Sequence, residues 1–325
     1  MHSPEEVINL INQGKTLLLS GHEEVLKKLP KGNWIGGTSS YFMSEDGGLV
    51  SDLLIEVTEM PDFITDMKIR YYDLTTIKNV YKDGFESGFS IIIIPAFSDA
   101  HFLFAKQVYT FEEFASKPLV GWISGINLGD VNASTPKVFS GIDASFSDKN
   151  AIVAHFQIPS NKFADVSIIN TFYAEGGDDL EFSECGLETE TVFVNGKETN
   201  FSDYLINNNV NIDIPLVANY HGFMINISFK ENDVKAKKVY FFAPVFKDVK
   251  YKLGKVKGDY ITEVMKQIPT DRELNYTFSC NCILNFLKLD LAGKKTSNIT
   301  GPITFGEIAY QLLNQTLVNL EIRDL

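Results

Sequence analysis

With 325 residues, of which 44% are hydrophobic, 12% aromatic and 22% charged, the chain can bury a large, ring-rich core, and long disorder is excluded. A net charge of −13 sets it against phosphate backbones, so nucleic acid is not an expected partner. The longest apolar run, 91–94 between Phe89 and Pro95, falls far short of the roughly 20 residues of a spanning helix, so no membrane partner is expected. Three cysteines (Cys185, Cys280, Cys282) are too few for a disulfide framework. The opening Met1-His2-Ser3-Pro4 has neither a basic nor an apolar leader region, and together these features read as cytoplasmic. The lysines at 235, 237, 238, 247, 250, 252, 255 and 257 form a locally basic band that reads as solvated strand positions. Without a leader, the Asn-x-Ser/Thr triplets at Asn200 and Asn298 read as chance.

Ser3, Pro4 and Glu6 predict a capped helix with Val7, Ile8, Leu10 and Ile11 as its apolar stripe, ended by Gly14. A buried strand follows at 16–19, then a helix opened by Ser20 and Glu23. Trp34-Ile35 run into the paired glycines Gly36-Gly37 and the hydroxyls Thr38, Ser39 and Ser40, a pattern that reads as a tight turn or a close approach to ligand. The loop 44–48 predicts a hairpin, with 49–58 returning as a strand. Further strands are expected at 67–72 and 89–94, and helical segments at 75–86, after Ser98-Asp99, and at 110–115. Antiparallel strands are expected at 138–146, 151–157 and 164–172.

The acidic, Gly-containing stretch 173–184 is the expected boundary, giving domains 1–185 and 186–325. Beyond it, Thr191–Val194 leads into an Asn195-Gly196 turn, with a helix near 201–207. Strands 223–229 and 237–243 should form a hairpin, and 259–267 a helix. Tyr276-Thr277-Phe278 reads as a strand feeding Cys280 at the start of a helix that runs to 289. The final alternation sets Leu317, Asn319 and Glu321 on one face and Val318, Leu320 and Ile322 on the other, a half-buried strand. Roughly fourteen strands against about seven helices predict an α+β fold: two related halves with mixed, mostly antiparallel sheets flanked by helices.

Three C-terminal motifs carry a resemblance: Phe193-Val194-Asn195-Gly196-Lys197, Phe278-Ser279-Cys280, and Gly301-x-x-Thr304-x-Gly306-Glu307-Ile308-Ala309 followed by Leu313-Asn314-Gln315-Thr316-Leu317. With Trp34-Ile35-Gly36-Gly37-Thr38-Ser39 in the first half, they resemble the F-box and intracellular signal transduction (FIST) domain family. The sequence departs from that family's junction, because Asn281-Cys282 follows Cys280 where the family has Gly-Arg. The resemblance implies a stand-alone cytoplasmic sensory domain that binds an amino-acid-like small molecule and reports to a separate signalling protein. Some relatives in that family bind haem.

The candidate ligand-binding residues are Gly36, Gly37, Thr38, Ser39, Cys280, Thr304, Glu307, Asn314 and Thr316. Glu307, between apolar neighbours, suits a ligand ammonium, or it ties down backbone amides. The Gly36–Ser40 hydroxyls suit a carboxylate, and Asn314 and Thr316 offer an amide and a hydroxyl to the same pocket. The two segments are expected to converge on a cleft between the halves. Cys-x-Cys at 280 and 282 lacks the second pair of a zinc site, and Gly-x-Ser-x-Gly is absent, so neither a metal nor catalytic residues are expected. Two alternatives stand beside this reading. One is a haem-based gas sensor using His101. The other is a hydrolase of a small amide or ester, in which Cys280 or Glu307 needs a nearby base.

Overall fold

The computed structural model describes every residue except 131–132, 221–222, 257, 269–274 and 297–298. Lys257 and Asn298, noted above, and His221 lie outside the described residues. Helix accounts for 17% of the chain and strand for 44%, in several mixed sheets flanked by a few helices, so the architecture is α+β. The chain divides into two compact units. The first comprises Met1–Ile169, Ile268–Leu312 and Leu317–Leu325; the second comprises Asn170–Gln267 and Leu313–Thr316. Residue 185 lies inside the second unit, and the chain's last segments return to the first.

In the first unit, one sheet runs in the order Ser145–Ser147, Val138–Ser140, Trp34–Thr38, Leu17–Gly21 and Ile55–Glu59. One face is apolar. Leu17, Leu19, Trp34, Ile55 and Phe139 cluster with Val7 and Ile11 of the helix Pro4–Asn12, whose Ser3–Glu6 capping box forms as the sequence predicts. Alternation puts Ser20, Gly37 and Glu56 on the opposite face, in one row, because Ser20 pairs with Gly37 on one side and with Glu56 on the other.

In a second sheet, Glu307–Ala309, Leu119–Ser124, Gly88–Pro95, Ala151–Gln157 and Asp66–Tyr72 lie side by side. The third runs Lys162–Ile169, Leu317–Asp324, Tyr276–Cys282, Gly301–Thr304, Tyr41–Ser44 and Gly47–Val50. Its Leu317–Asp324 strand, paired on both edges, is buried on both faces from Leu317 to Glu321, more deeply than the expected half-burial. In the second unit, Phe182, Phe201, Phe241 and Tyr251 form a ring cluster. There Asn195 and Gly196 take positive φ (50° and 83°), the two-residue hairpin turn the sequence predicts.

Several local expectations are corrected. Gly36 and Gly37 are not a turn but the interior of a strand paired on both sides. Cys280 does not begin a helix: the strand continues to Cys282, which caps the helix Ile283–Lys288. The expected helix 75–86 shrinks to a 3₁₀ turn at Ile77–Asn79, since the Asp73 carboxylate takes the amides of Thr75 and Thr76 into a local turn. Positive φ at Glu113 (59°) and Ala115 (56°) likewise breaks the helical turn expected at 110–115. The return strand 49–58 splits where Ser51 Oγ accepts the amides of Leu53 and Leu54, and its parts join different sheets. The hairpin expected across Glu231–Asp233 instead pairs Phe229–Asp233 with Lys238–Val245.

Candidate functional site

Seven of the nine sequence-selected residues gather in the first unit, around the strand Leu119–Ser124. A Cβ on Gly37 would stand 2.7 Å from Ile93 Cγ2 and 3.0 Å from Trp122 Nε1, so glycine lets one sheet press against the next. On the other face, a Cβ on Gly36 would meet the Leu19 carbonyl oxygen at 3.0 Å. Thr38 Oγ1 accepts the Lys137 amide at 2.9 Å, and the Thr38 carbonyl accepts the Gly125 amide at 2.8 Å. Ser39 Oγ donates toward the Ile303 carbonyl at 3.0 Å and accepts the Tyr41 amide at 3.1 Å.

The other arm of this seam attaches to the same strand, Phe305 N–H donating to the Ile123 carbonyl and Ile123 N–H to the Gly306 carbonyl. Glu307, fully buried, pairs in register with Trp122 and accepts a 3.4 Å hydrogen bond from Thr304 Oγ1. Cys280 Sγ donates to the Gly121 carbonyl at 3.5 Å. Burial, then the carboxylates of Glu307 and Glu56 and the Cys282 thiol, holds the Cys280 thiol well above its usual range. A thiol held protonated in this way lacks the thiolate that nucleophilic attack requires. Thus positions 36–39, 280 and 304–307 do come together, as a closed seam.

Asn314 and Thr316 belong to the second unit. The Asn314 carbonyl accepts from Asn226 Nδ2 at 3.1 Å, and Asn226 exchanges amide hydrogen bonds with Asn170. Gln315, between the two candidates, accepts from Ser228 Oγ at 2.6 Å and donates to the Asp213 carbonyl.

Open space in the first unit lies beside the seam. A groove of about 410 Å³ runs between Glu56–Glu59 with Pro61 on one wall and 275–279 on the other, closed by Thr300. Its lining is hydroxyls, amides, two carboxylates and the rings of Tyr276 and Phe278. Glu56 is 9% exposed, and among the described residues its one side-chain hydrogen bond is that which Thr58 Oγ1 donates to Oε1 at 3.2 Å. Burial pushes its carboxyl up to about 7, against the pulls of the Thr58 hydroxyl and the N-terminal ammonium. Sequence reasoning missed Glu56. A glutamate alternating with Ile55 and Val57 reads as a solvated strand position, and the wall opposite comes from residues more than two hundred positions away.

Both buried histidines are held by neighbours. His101 Nδ1 accepts the Phe97 amide at 3.2 Å, and burial lowers its pKa to about 4. His155 lies between Ser90 Oγ (2.7 Å) and Tyr72 Oη (2.8 Å), and Tyr72 in turn donates to Asp83. Burial lowers the His155 pKa to about 4 as well. Among the described residues no cluster of His, Cys, Asp and Glu has the geometry to hold a metal ion, and no helix is long and apolar enough to cross a membrane.

Over residues 2–323 the chain matches a family of unknown function, DUF6976, and it belongs to that family. No curated protein and no solved structure matches it.

Proposed function

We propose that this chain is a small-molecule-binding sensory module whose ligand occupies the groove between Ile55–Glu59 and Tyr276–Cys282. The observation that carries this reading is a nearly buried carboxylate, Glu56, set in the wall of a polar cavity large enough for an amino-acid-sized molecule. A buried carboxylate in such a wall suits the ammonium of the amino-acid-like ligand that the FIST resemblance implies. The closed seam behind the groove, with Cys280 and Glu307, acts as a rigid backing that fixes the Tyr276–Cys282 wall. The module works in the cytoplasm without chemistry of its own, and ligand-biased populations are read by a separate signalling protein.

The test is a thermal-shift and calorimetric screen of the full chain against amino acids, small amines, nucleotides and haem. A ligand of the groove raises the midpoint, because binding to the folded state alone adds stability by mass action. Thr277→Trp, which fills the groove, abolishes the rise while leaving the unliganded midpoint within a few degrees of the parent. A ligand response unchanged in Thr277→Trp would move the site elsewhere. A Soret band on adding haem would favour the gas-sensing alternative.

A further inference from the structure

Resting on that reading, we infer that Glu56 takes the ligand as a cation, a primary ammonium, in exchange for its own proton. The argument begins with what surrounds the carboxyl. Among the described residues its one side-chain donor is Thr58, and no lysine, arginine or histidine forms an ion pair with it. Glu56, nine-tenths buried, lines the groove, and among the described residues its one side-chain hydrogen bond goes to Oε1. A carboxylate that deeply placed and unpaired is costly, so the empty groove favours the acid form.

Each element around Glu56 leaves that balance in place. On the adjacent strand its register partner is Ser20, a neutral hydroxyl with no partner of its own. His2 bridges to Ile55 through its backbone, and the N-terminal ammonium beside it exerts only the weakest of the influences on Glu56. From the facing layer come Cys280, held as a thiol, and beyond it Glu307, neither of which brings a positive charge. At the mouth Glu59 is already paired, with Lys15 at 2.5 Å, and Lys15 also reaches Asp62 at 3.5 Å. Across the groove Tyr276 is the titratable member of the lining, with threonine, serine and asparagine around it.

An ammonium entering this space meets hydroxyls, amides and the Glu56 carboxyl, and pairs with that carboxyl as an opposite charge only in its anionic form. The exchange balances: Glu56–CO₂H plus R–NH₃⁺ gives Glu56–CO₂⁻ paired with R–NH₃⁺, and one proton leaves to solvent. Ligand affinity is thereby tied to pH, weakening as acid refills the carboxyl, by up to tenfold per pH unit on the acidic side of its titration.

The probes are butylammonium, its uncharged counterpart butanol, and butyrate, each at millimolar concentration with the full chain from pH 5.5 to 8.5. The expected result is a thermal shift with butylammonium alone that grows as pH rises and then levels. Calorimetry in two buffers of different ionisation enthalpy should show close to one proton released at the acidic end and none at the basic end. Glu56→Gln should lose the response, whereas Glu56→Asp should bind more weakly yet keep the pH slope. Amine binding that is flat with pH, or undiminished in Glu56→Gln, overturns the exchange. A response to butanol or butyrate that Thr277→Trp removes overturns the cationic ligand but leaves the groove standing. No response from any probe, or one that Thr277→Trp retains, overturns both.

Discussion

Glu56 and Glu307 are both buried carboxyl groups of the first unit, yet their surroundings differ in kind. Glu307 is fully buried, paired in register against Trp122 and hydrogen-bonded by Thr304 within the sheet stack. Among the described residues Glu56 has one side-chain hydrogen bond, from Thr58, and it lines about 410 Å³ of polar space. Burial alone therefore does not distinguish a structural acid from a receptive one; access does. Glu307 belongs to the closed seam, whereas Glu56 lines the groove beside it.

The largest expected effect strikes the seam. Gly37→Ala would place a methyl 2.7 Å from Ile93 and 3.2 Å from Ser124 Cβ, between two packed sheets that cannot both retreat. We expect a loss of about 3 kcal/mol in urea unfolding, the upper part of the usual range for overpacking. Thr277→Ala, on the partly exposed wall of the groove, should stay within about 0.5 kcal/mol. Equal losses at the two positions would erase the distinction between a rigid backing and an adaptable groove.

Next comes Glu56 itself, whose substitution should stabilise. Its folded pKa, about 7, lies above the usual 4.5 of glutamate. The folded state thus holds the proton more tightly than the unfolded chain. The stability this contributes is complete below about pH 4.5 and is lost as pH rises through 7. A shift of that size corresponds to about 3 kcal/mol, so Glu56→Gln should be more stable than the parent at pH 8 by up to that amount, with the gain vanishing near pH 4. Urea titrations across that pH range measure it. A parent protein whose stability is level between pH 5 and 7 would mean that Glu56 has found a partner.

A smaller loss is expected for Ser39→Ala. Its hydroxyl links the Gly36–Ser39 arm to the Gly301–Thr304 strand through the Ile303 carbonyl and also accepts the Tyr41 amide, both buried. Leaving these groups unmatched should cost about 1–2 kcal/mol without altering ligand response. A change in ligand response at constant stability would draw the seam into the site.

How much of this was legible in the sequence depended on whether the signal was local. The capping box at Ser3–Glu6 and the Asn195-Gly196 hairpin are short-range chemistry and appear where the residues predict them. The α+β class follows from periodicity alone. Positions 36–40 and 304–316 were expected to share a ligand pocket; positions 36–39 and 304–307 meet in a closed seam of the first unit, and 314 and 316 belong to the second. What the sequence could not supply was the difference between close approach to a ligand and close approach to Trp122, because the face of a glycine is set by tertiary packing. Glu56 was invisible for the same reason: its isolation comes from a wall that begins at Asn275.

The finest test of the contrast uses a hydroxyl that belongs to neither class. Ser124 Oγ is buried beside Gly37 and, among the described residues, has no hydrogen-bond partner; the same holds for Ser20 Oγ and Trp122 Nε1 nearby. If the seam is as tightly closed as its glycines imply, that oxygen is dehydrated and unrewarded. Ser124→Ala should then raise stability by about 0.5 kcal/mol, since the relief of an unmatched polar atom slightly exceeds the packing lost with one oxygen. A loss of about 1 kcal/mol instead would reveal water between the sheets, because a bridging water is what would make the hydroxyl worth keeping. In that case the polar row from Glu56 through Ser20 toward Trp122 would be an inward branch of the groove, and the line drawn here between backing and site would shift one layer deeper.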